Sequence, residues 1–289
     1  MAEEDLYAPS IEWMVSRTNR VHSPPHIYQR LNDAINHPRS SVRDFARIIQ
    51  EDQGLTARIL QLANSPMFGY FGRVDSISRA VTIIGTREMR DLALAALVMK
   101  MFRGIPEELM SMTMFWRHSI ACGIVARNLA IYLRADNVER FFVAGILHDL
   151  GQLVMCTATP ETVCALLQLS RGRRELYFCT EKEEIGFDHA ELGSELLRSW
   201  LIPESIAEPV GYHHLPGEAR QFPVETAVVH LADIICQALE YGASAEWCIP
   251  PLKRAAWEKL GVPISMIEII LKQSEPQIEE TFAILAEGK

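Results

Sequence analysis

The sequence predicts an all-α protein built as two helical lobes, and three observations carry that expectation. Apolar residues recur at helical spacing in almost every segment, helix start and stop signals bracket those recurrences, and evidence for strands is confined to residues 176–179.

The elements follow in order. Ser41-Val-Arg-Asp44 has the form of an N-cap with an acid at the third helical position, and Phe45, Ile48 and Ile49 form the stripe behind it. A second short helix over 54–63 stops at Asn64-Ser-Pro66, and the glycines among aromatics in Met67-Phe-Gly-Tyr-Phe-Gly72 give a packed turn. Thr86 is expected to cap an apolar helix running through Leu92, Ala96 and Met99 to Gly104-Ile-Pro106. Pro106 is the clearest internal boundary. Beyond it, helices are expected at 107–133, 138–153, 160–170, 188–201, 203–213, 223–241, 252–260 and 263–287, the last broken near Pro276. This divides the chain into an N-terminal lobe, 1–106, a histidine-bearing lobe, 107–244, and a covering tail, 245–289.

Bulk properties exclude several classes. With 289 residues and 48% apolar content there is ample core, while a net charge of −9 and pI near 5.5 argue against direct nucleic-acid binding. No uninterrupted apolar run reaches membrane-spanning length, the nearest being 92–99, and the opening Met-Ala-Glu-Glu-Asp is acidic where a secretion signal is basic. Cysteines 122, 156, 164, 179, 236 and 248 form no Cys-x-x-Cys pair and read as reduced thiols. A cytoplasmic protein with no membrane or direct nucleic-acid partner is expected.

Five of the nine histidines fall in one ordered pattern with two aspartates: His118, His148-Asp149, His189, His213-His214 and Asp233. Imidazole nitrogen and carboxylate oxygen together suit one or two divalent ions such as iron, manganese, zinc or nickel. Adjacent helical residues diverge by about 100°. His148 and Asp149 therefore share a centre only if it lies against their own turn, where the carboxylate can serve two ions. Gly145, Gly151, Ala121 and Gly123 leave room for close helix approach. Asp188 and Glu191 form a capping box that puts His189 in a first turn, where the helix dipole disfavours imidazolium.

A single histidine near an apolar helix is ordinarily a hydrogen-bonded core or surface residue, and His22, His26 and His37 are read that way. His230 is open between a core donor and a support for the site of Asp233. Arg171, Arg173, Arg174 and Lys182 are weak candidates to hold a phosphate, the bland alternative being a solvated loop.

In motif order the chain resembles the HD superfamily of metal-dependent phosphohydrolases, and more closely its regulatory branch, the HDOD (HD-related output) domain. The resemblance runs over residues 20–240 and rests on Asp44-Phe-Ala-Arg-Ile-Ile-Gln-Glu-Asp-Gln-Gly-Leu-Thr-Ala-Arg-Ile-Leu-Gln-Leu-Ala-Asn-Ser, Ser76-Ile-Ser-Arg-Ala-Val-Thr-Ile-Ile-Gly-Thr, Phe142-Val-Ala-Gly-Ile-Leu-His-Asp-Leu-Gly, Glu184-Ile-Gly-Phe-Asp-His-Ala-Glu-Leu-Gly, Trp200-Leu-Ile-Pro and Tyr212-His-His. It implies an HD-type helical bundle in the second lobe with His118, His148, Asp149, His189, His213, His214 and Asp233 as metal ligands. It also implies a signalling role through protein partners or ligand sensing, of response-regulator type and often beside receiver domains. The alternative is a metal-dependent phosphohydrolase in which His148 and Asp149 are catalytic and an ion-activated water attacks a phosphate ester of a nucleotide-like ligand. Gln152 departs from the His-Asp-x-Gly-Lys form of HD hydrolases, and Leu-Pro-Gly after His214 departs from the Gly-Tyr-Pro signature of the cyclic-dinucleotide branch.

Overall fold

The computed structural model describes residues 9–21, 26–70, 72–102 and 104–287; the acidic opening segment and His22 lie outside them. All regular structure among the described residues is helical, as the sequence predicts.

The first lobe gathers α2 (His26–Asn36), α3 (Val42–Gln50), α4 (Gln53–Ala63), α5 (Ile77–Ile84) and α6 (Thr86–Met101). Ser41 caps α3 as expected: its Oγ accepts the Asp44 N–H at 3.3 Å, and Asp44 accepts the Ser41 N–H at 3.1 Å. Asn64 ends α4 and clasps the following loop, its amide and carbonyl each 2.8 Å from backbone atoms of Val74. Thr86 is not the cap of α6 but its first residue. Gly85 takes the cap position with φ of 106°, which a β-branched residue avoids. Phe45 and Ile49 of the α3 stripe and Leu55, Ile59 and Leu62 of α4 are all buried in the core, each side chain worth about 1.5–3 kcal/mol when fully buried.

The second lobe is centred on α7 (Met112–Tyr132), against which lie α8 (Glu139–Leu147) and α14 (Pro223–Ala238). Around them stand α9 (Leu150–Ala158), α10 (Pro160–Arg173), α11 (Tyr177–Ile185), α12 (His189–Ser199) and α13 (Glu204–Tyr212). Two features cross the expected division of the chain. Helix α1 (Ile11–Val21) rests on α9 and α12, pinned by a hydrogen bond from Trp200 Nε1 to Asn19 Oδ1 at 2.7 Å. In the tail, α15 (Arg254–Leu260) lies on α14 and α16 (Ile264–Phe282) on α7, while a closing π-helical turn, Ala283–Glu287, reaches back to α4 and α6.

Three local expectations are corrected. Of residues 176–179 only Leu176 is extended, as the N-cap; Tyr177 opens α11 and is buried, so packing overrides the local aromatic composition. Pro276 lies within α16 without ending it. The helix expected at 138–153 divides at the His-Asp pair, where Asp149 leaves helical geometry with φ −95° and ψ 11°. The combined span Glu139–Ala158 does have the length and hydropathy of a membrane-crossing segment, yet 94% of its most apolar window is buried inside the protein as core.

Candidate metal centre

Two sets of glycine contacts bring the ligand-bearing helices together. A Cβ on Gly145 would stand 2.7 Å from Gly123 Cα, so α7 and α8 touch backbone to backbone there, between His118 and His148. A Cβ on Gly151 would stand only 1.9 Å from the His189 carbonyl oxygen, so α9 presses against the first turn of α12. That turn is fixed by the capping box foreseen from Asp188 and Glu191.

The break at Asp149 then aims its carboxylate between two groups of imidazoles. Oδ2 is 3.2 Å from His148 Nε2 and 4.0 Å from His118 Nε2. Oδ1 is 3.1 Å from His189 Nε2 and 3.8 Å from His213 Nε2. Asp233 closes the first group, with Oδ1 3.1 Å from His118 Nε2 and 3.6 Å from His148 Nε2. His214 closes the second, its Nε2 lying 3.0 Å from that of His189. The structure therefore brings together all seven side chains singled out from the sequence, and all seven are buried.

The ring orientations are set from outside. His148 and His213 donate from Nδ1 to the carbonyls of Gly145 and Val210, each at 2.7 Å. Their Nε2 atoms consequently point inward, and neither has an aligned hydrogen bond among the described residues. Buried polar atoms without partners are costly. A cation in each of the two groups would satisfy one of them, so the donor set fits divalent ions.

Charge is divided within the cluster. Burial alone would raise the Asp149 and Asp233 pKa values, but the imidazoles facing them outweigh it and hold both carboxyls well below the usual range. Burial would likewise lower His148 and His189, yet their carboxylate neighbours hold both well above the ordinary imidazole value. Glu181 on one side and Asp149 on the other thus oppose the neutrality expected of His189 at its helix terminus. His213, buried and beside His148, is pushed down to about 3, and burial beside His213 lowers His214 as well.

Glu181 was not foreseen. Its Oε2 takes both the backbone N–H and Nδ1–H of His189, at 3.0 and 2.6 Å. Its only sequence signal is an acid two residues beyond the segment read as extended, with nothing nearby to mark an inward face. His230 resolves as a support: its Nδ1 donates to the His213 carbonyl at 2.7 Å, and its Nε2 accepts the Lys253 N–H at 3.0 Å. His26 and His37 are exposed.

The weak phosphate candidates stand apart from the imidazoles. Arg173 is paired with Glu183 and Glu184, and Lys182 with Glu191 at 2.6 Å. Arg171 faces a separate cavity beside Ala243–Ala245, and Arg174 occupies the left-handed position ending α10. Of the four, only Lys182 lines the cavity of about 360 Å³ that abuts His214, in company with Glu175, Glu183, Asp188, Glu191 and Glu218.

The centre is covered by residues 241–253, a strap between α14 and α15. Gly242, at φ 74°, lies so close to His118 that a Cβ there would come within 2.4 Å of its backbone nitrogen. Ala245 N–H donates to Gln152 Oε1 at 3.0 Å, and Glu246 Oε1 accepts the Phe178 N–H at 2.9 Å. Trp247 Nε1 reaches the Glu175 carbonyl at 2.8 Å.

Residues 21–216 match the family model of the HDOD domain. A curated relative, an uncharacterized protein of Treponema pallidum (strain Nichols), is 26% identical over 288 residues; the match covers 96% of this chain and 52% of the relative, so the chain spans about half its length. A solved protein from Shewanella amazonensis SB2B, bearing a provisional phosphohydrolase name, superposes with TM-score 0.74 at 23% identity, covering 94% of this chain and 98% of that one. An HDOD domain protein of unknown function from Geobacter sulfurreducens gives TM-score 0.72 at 21% identity, covering 97% and 99%. At such identities these two structures speak for the fold.

Proposed function

Because this chain belongs to the HDOD domain family, we propose that it is a regulatory output module of signal transduction whose HD-type centre holds one or two divalent cations. The observation that carries this reading is the convergence of four imidazole Nε2 atoms, those of His118, His148, His189 and His213, around the divided carboxylate of Asp149, with His214 Nε2 beside that of His189. His118, His148, Asp149 and Asp233 would hold one cation. Asp149, His189, His213 and His214 would hold another, from the group iron, manganese, zinc and nickel. A divalent cation bound there would supply Lewis acidity toward a water or phosphate oxygen. The protein's own contribution is to fix the rings: the Gly145 and Val210 carbonyls orient His148 and His213, and Glu181 orients His189.

Three features favour regulation over turnover. The strap and Phe178 keep the imidazoles from solvent. The arginines lie away from the cluster, and Lys182 is already paired in an acidic rim, so an incoming phosphate meets no open cationic wall. Gln152, standing where HD hydrolases often have lysine, uses its carbonyl to hold the strap. Partners would be proteins of a signalling pathway in the cytoplasm, met without membrane or direct nucleic-acid contact.

A second reading, a metal-dependent phosphohydrolase acting on a phosphodiester or phosphomonoester, is favoured by the cavity against His214 and Lys182 on its wall. There His148 and Asp149 would be catalytic. Elemental analysis of untagged protein purified without chelator tests both readings. A metal content near zero that added iron, manganese or zinc does not raise removes both. A phosphodiesterase screen with His148→Ala as control separates them, since hydrolysis lost in the variant would favour the enzyme.

A further inference from the structure

Cys122 stands one helical turn beyond His118 on α7, so the two side chains leave the same face of the helix. Its Sγ lies 3.5 Å from His118 Nε2 and 3.9 Å from Nδ1, and the residue is fully buried. His118, Cys122, His148 and Asp233 each offer one donor atom within 4.8 Å of the other three. The fully buried His148 Nε2, without an aligned partner among the described residues, belongs to this same group. Zinc takes imidazole nitrogen at about 2.0–2.1 Å and thiolate sulfur at about 2.3 Å in tetrahedral geometry, which puts the two donors roughly 3.5 Å apart. The observed separation of sulfur and nitrogen is 3.5 Å.

Buried cysteines are most often small apolar fillers. Cys156, also buried, has that character; Cys122 differs in touching an imidazole whose other neighbour is a carboxylate. Resting on the reading of the cluster as a cation centre, we propose that Cys122 is itself a ligand. The position formed with His118, His148 and Asp233 is then a nitrogen–oxygen–sulfur site suited to zinc or ferrous iron rather than to manganese. As the cation binds, the Cys122 S–H bond breaks, the proton leaves to solvent, and the sulfur lone pair forms the bond to the ion; no electron is transferred. The second group, Asp149 with His189, His213 and His214, has no sulfur among its donors, so the two positions differ in softness.

The test is cobalt(II) loading of the full chain after chelator treatment. Thiolate coordination adds near-ultraviolet charge-transfer absorption that imidazole and carboxylate ligands do not give. The expected result is that absorption in the native protein and in Cys236→Ser, and its loss in Cys122→Ser and Cys122→Ala with helicity by circular dichroism unchanged. Cobalt retained by the native protein without the absorption overturns the assignment of Cys122 and leaves the cation centre standing. Absorption that survives Cys122→Ser and disappears in Cys236→Ser also overturns it, moving the sulfur to α14. Failure of the native protein to retain cobalt overturns both the ligand and the centre it rests on.

Discussion

Phe178 lies flat against His214, ring centroids 4.0 Å apart and planes 10° from parallel. The stack closes the one imidazole of the cluster that borders the cavity of about 360 Å³, and its removal should be felt as access. In Phe178→Ala, loss of bound metal to a chelator should accelerate up to about tenfold, the equivalent of an aromatic contact of about 0.5–1.5 kcal/mol. Stopped-flow chelation reports the rate, and a rate equal to the native one would show that the ring is no barrier.

Glu181 should matter to metal affinity although it touches no proposed cation position. In Glu181→Gln the carboxylate that orients His189 becomes a neutral amide of the same size, and affinity at the second position should fall about 10–100-fold. Competitive titration against an indicator reads this directly. Thermal stability without metal gives the control that separates ligand orientation from unfolding.

Gly151→Ala should be severe and Gly172→Ala harmless. The first would drive a Cβ to 1.9 Å from the His189 carbonyl, while the second meets nothing within 4 Å. Overpacking of this kind costs about 1–3 kcal/mol or more, whereas alanine on the free face of α10 should be neutral or stabilising by up to about 1 kcal/mol. Urea denaturation of the two variants makes the comparison, and loss of metal should accompany only the first.

Glu246 should give metal-free protein a stability that declines with pH. Burial is the main reason its pKa rises from 4.5 to about 7, with backbone N–H groups including that of Phe178 opposing the rise only in part. A carboxyl whose folded pKa is raised keeps a proton that the unfolded chain has lost, so stability falls as pH climbs from 4.5 to about 7 and stays lower above it. Glu246→Gln removes that slope. Relative to native protein, it should gain stability between pH 5 and pH 8 by an amount on the order of 3 kcal/mol at most. Denaturation midpoints of both proteins at each end of the window, with chelator present, provide the check.

The candidate metal cluster was legible because the chemistry of ligation is written in residue type and order: His148-Asp149 and His213-His214 are adjacent, and Asp188 with Glu191 marks the helix that carries His189. Small residues at 121, 123, 145 and 151 also announced close packing before any contact was known. What stayed hidden depends on three-dimensional neighbours. The division of one helix at Asp149 leaves no breaker in the sequence, since the turn is stabilised by what the carboxylate faces. Glu181 carries no pattern that ties it to His189, eight residues on, and the role of Cys122 was hidden by the absence of a second nearby cysteine. The strap could not be seen either, because Gly242, Ala245 and Trp247 acquire their roles only from the distant groups they meet.

That strap also joins the interior to the outer face of the protein. It is anchored beside His118, on Gln152, and on His230, which in turn holds the carbonyl of His213. Along the same stretch Trp247, Ile249 and Leu252 are 40%, 54% and 42% exposed. If a partner gripping those outward residues shifts this backbone, the shift reaches α7 and α14, which carry His118 and Asp233, and the start of α9 next to Asp149; reciprocity then requires that filling the centre change the grip in return. A message between surface and core then has only one short length of chain to travel.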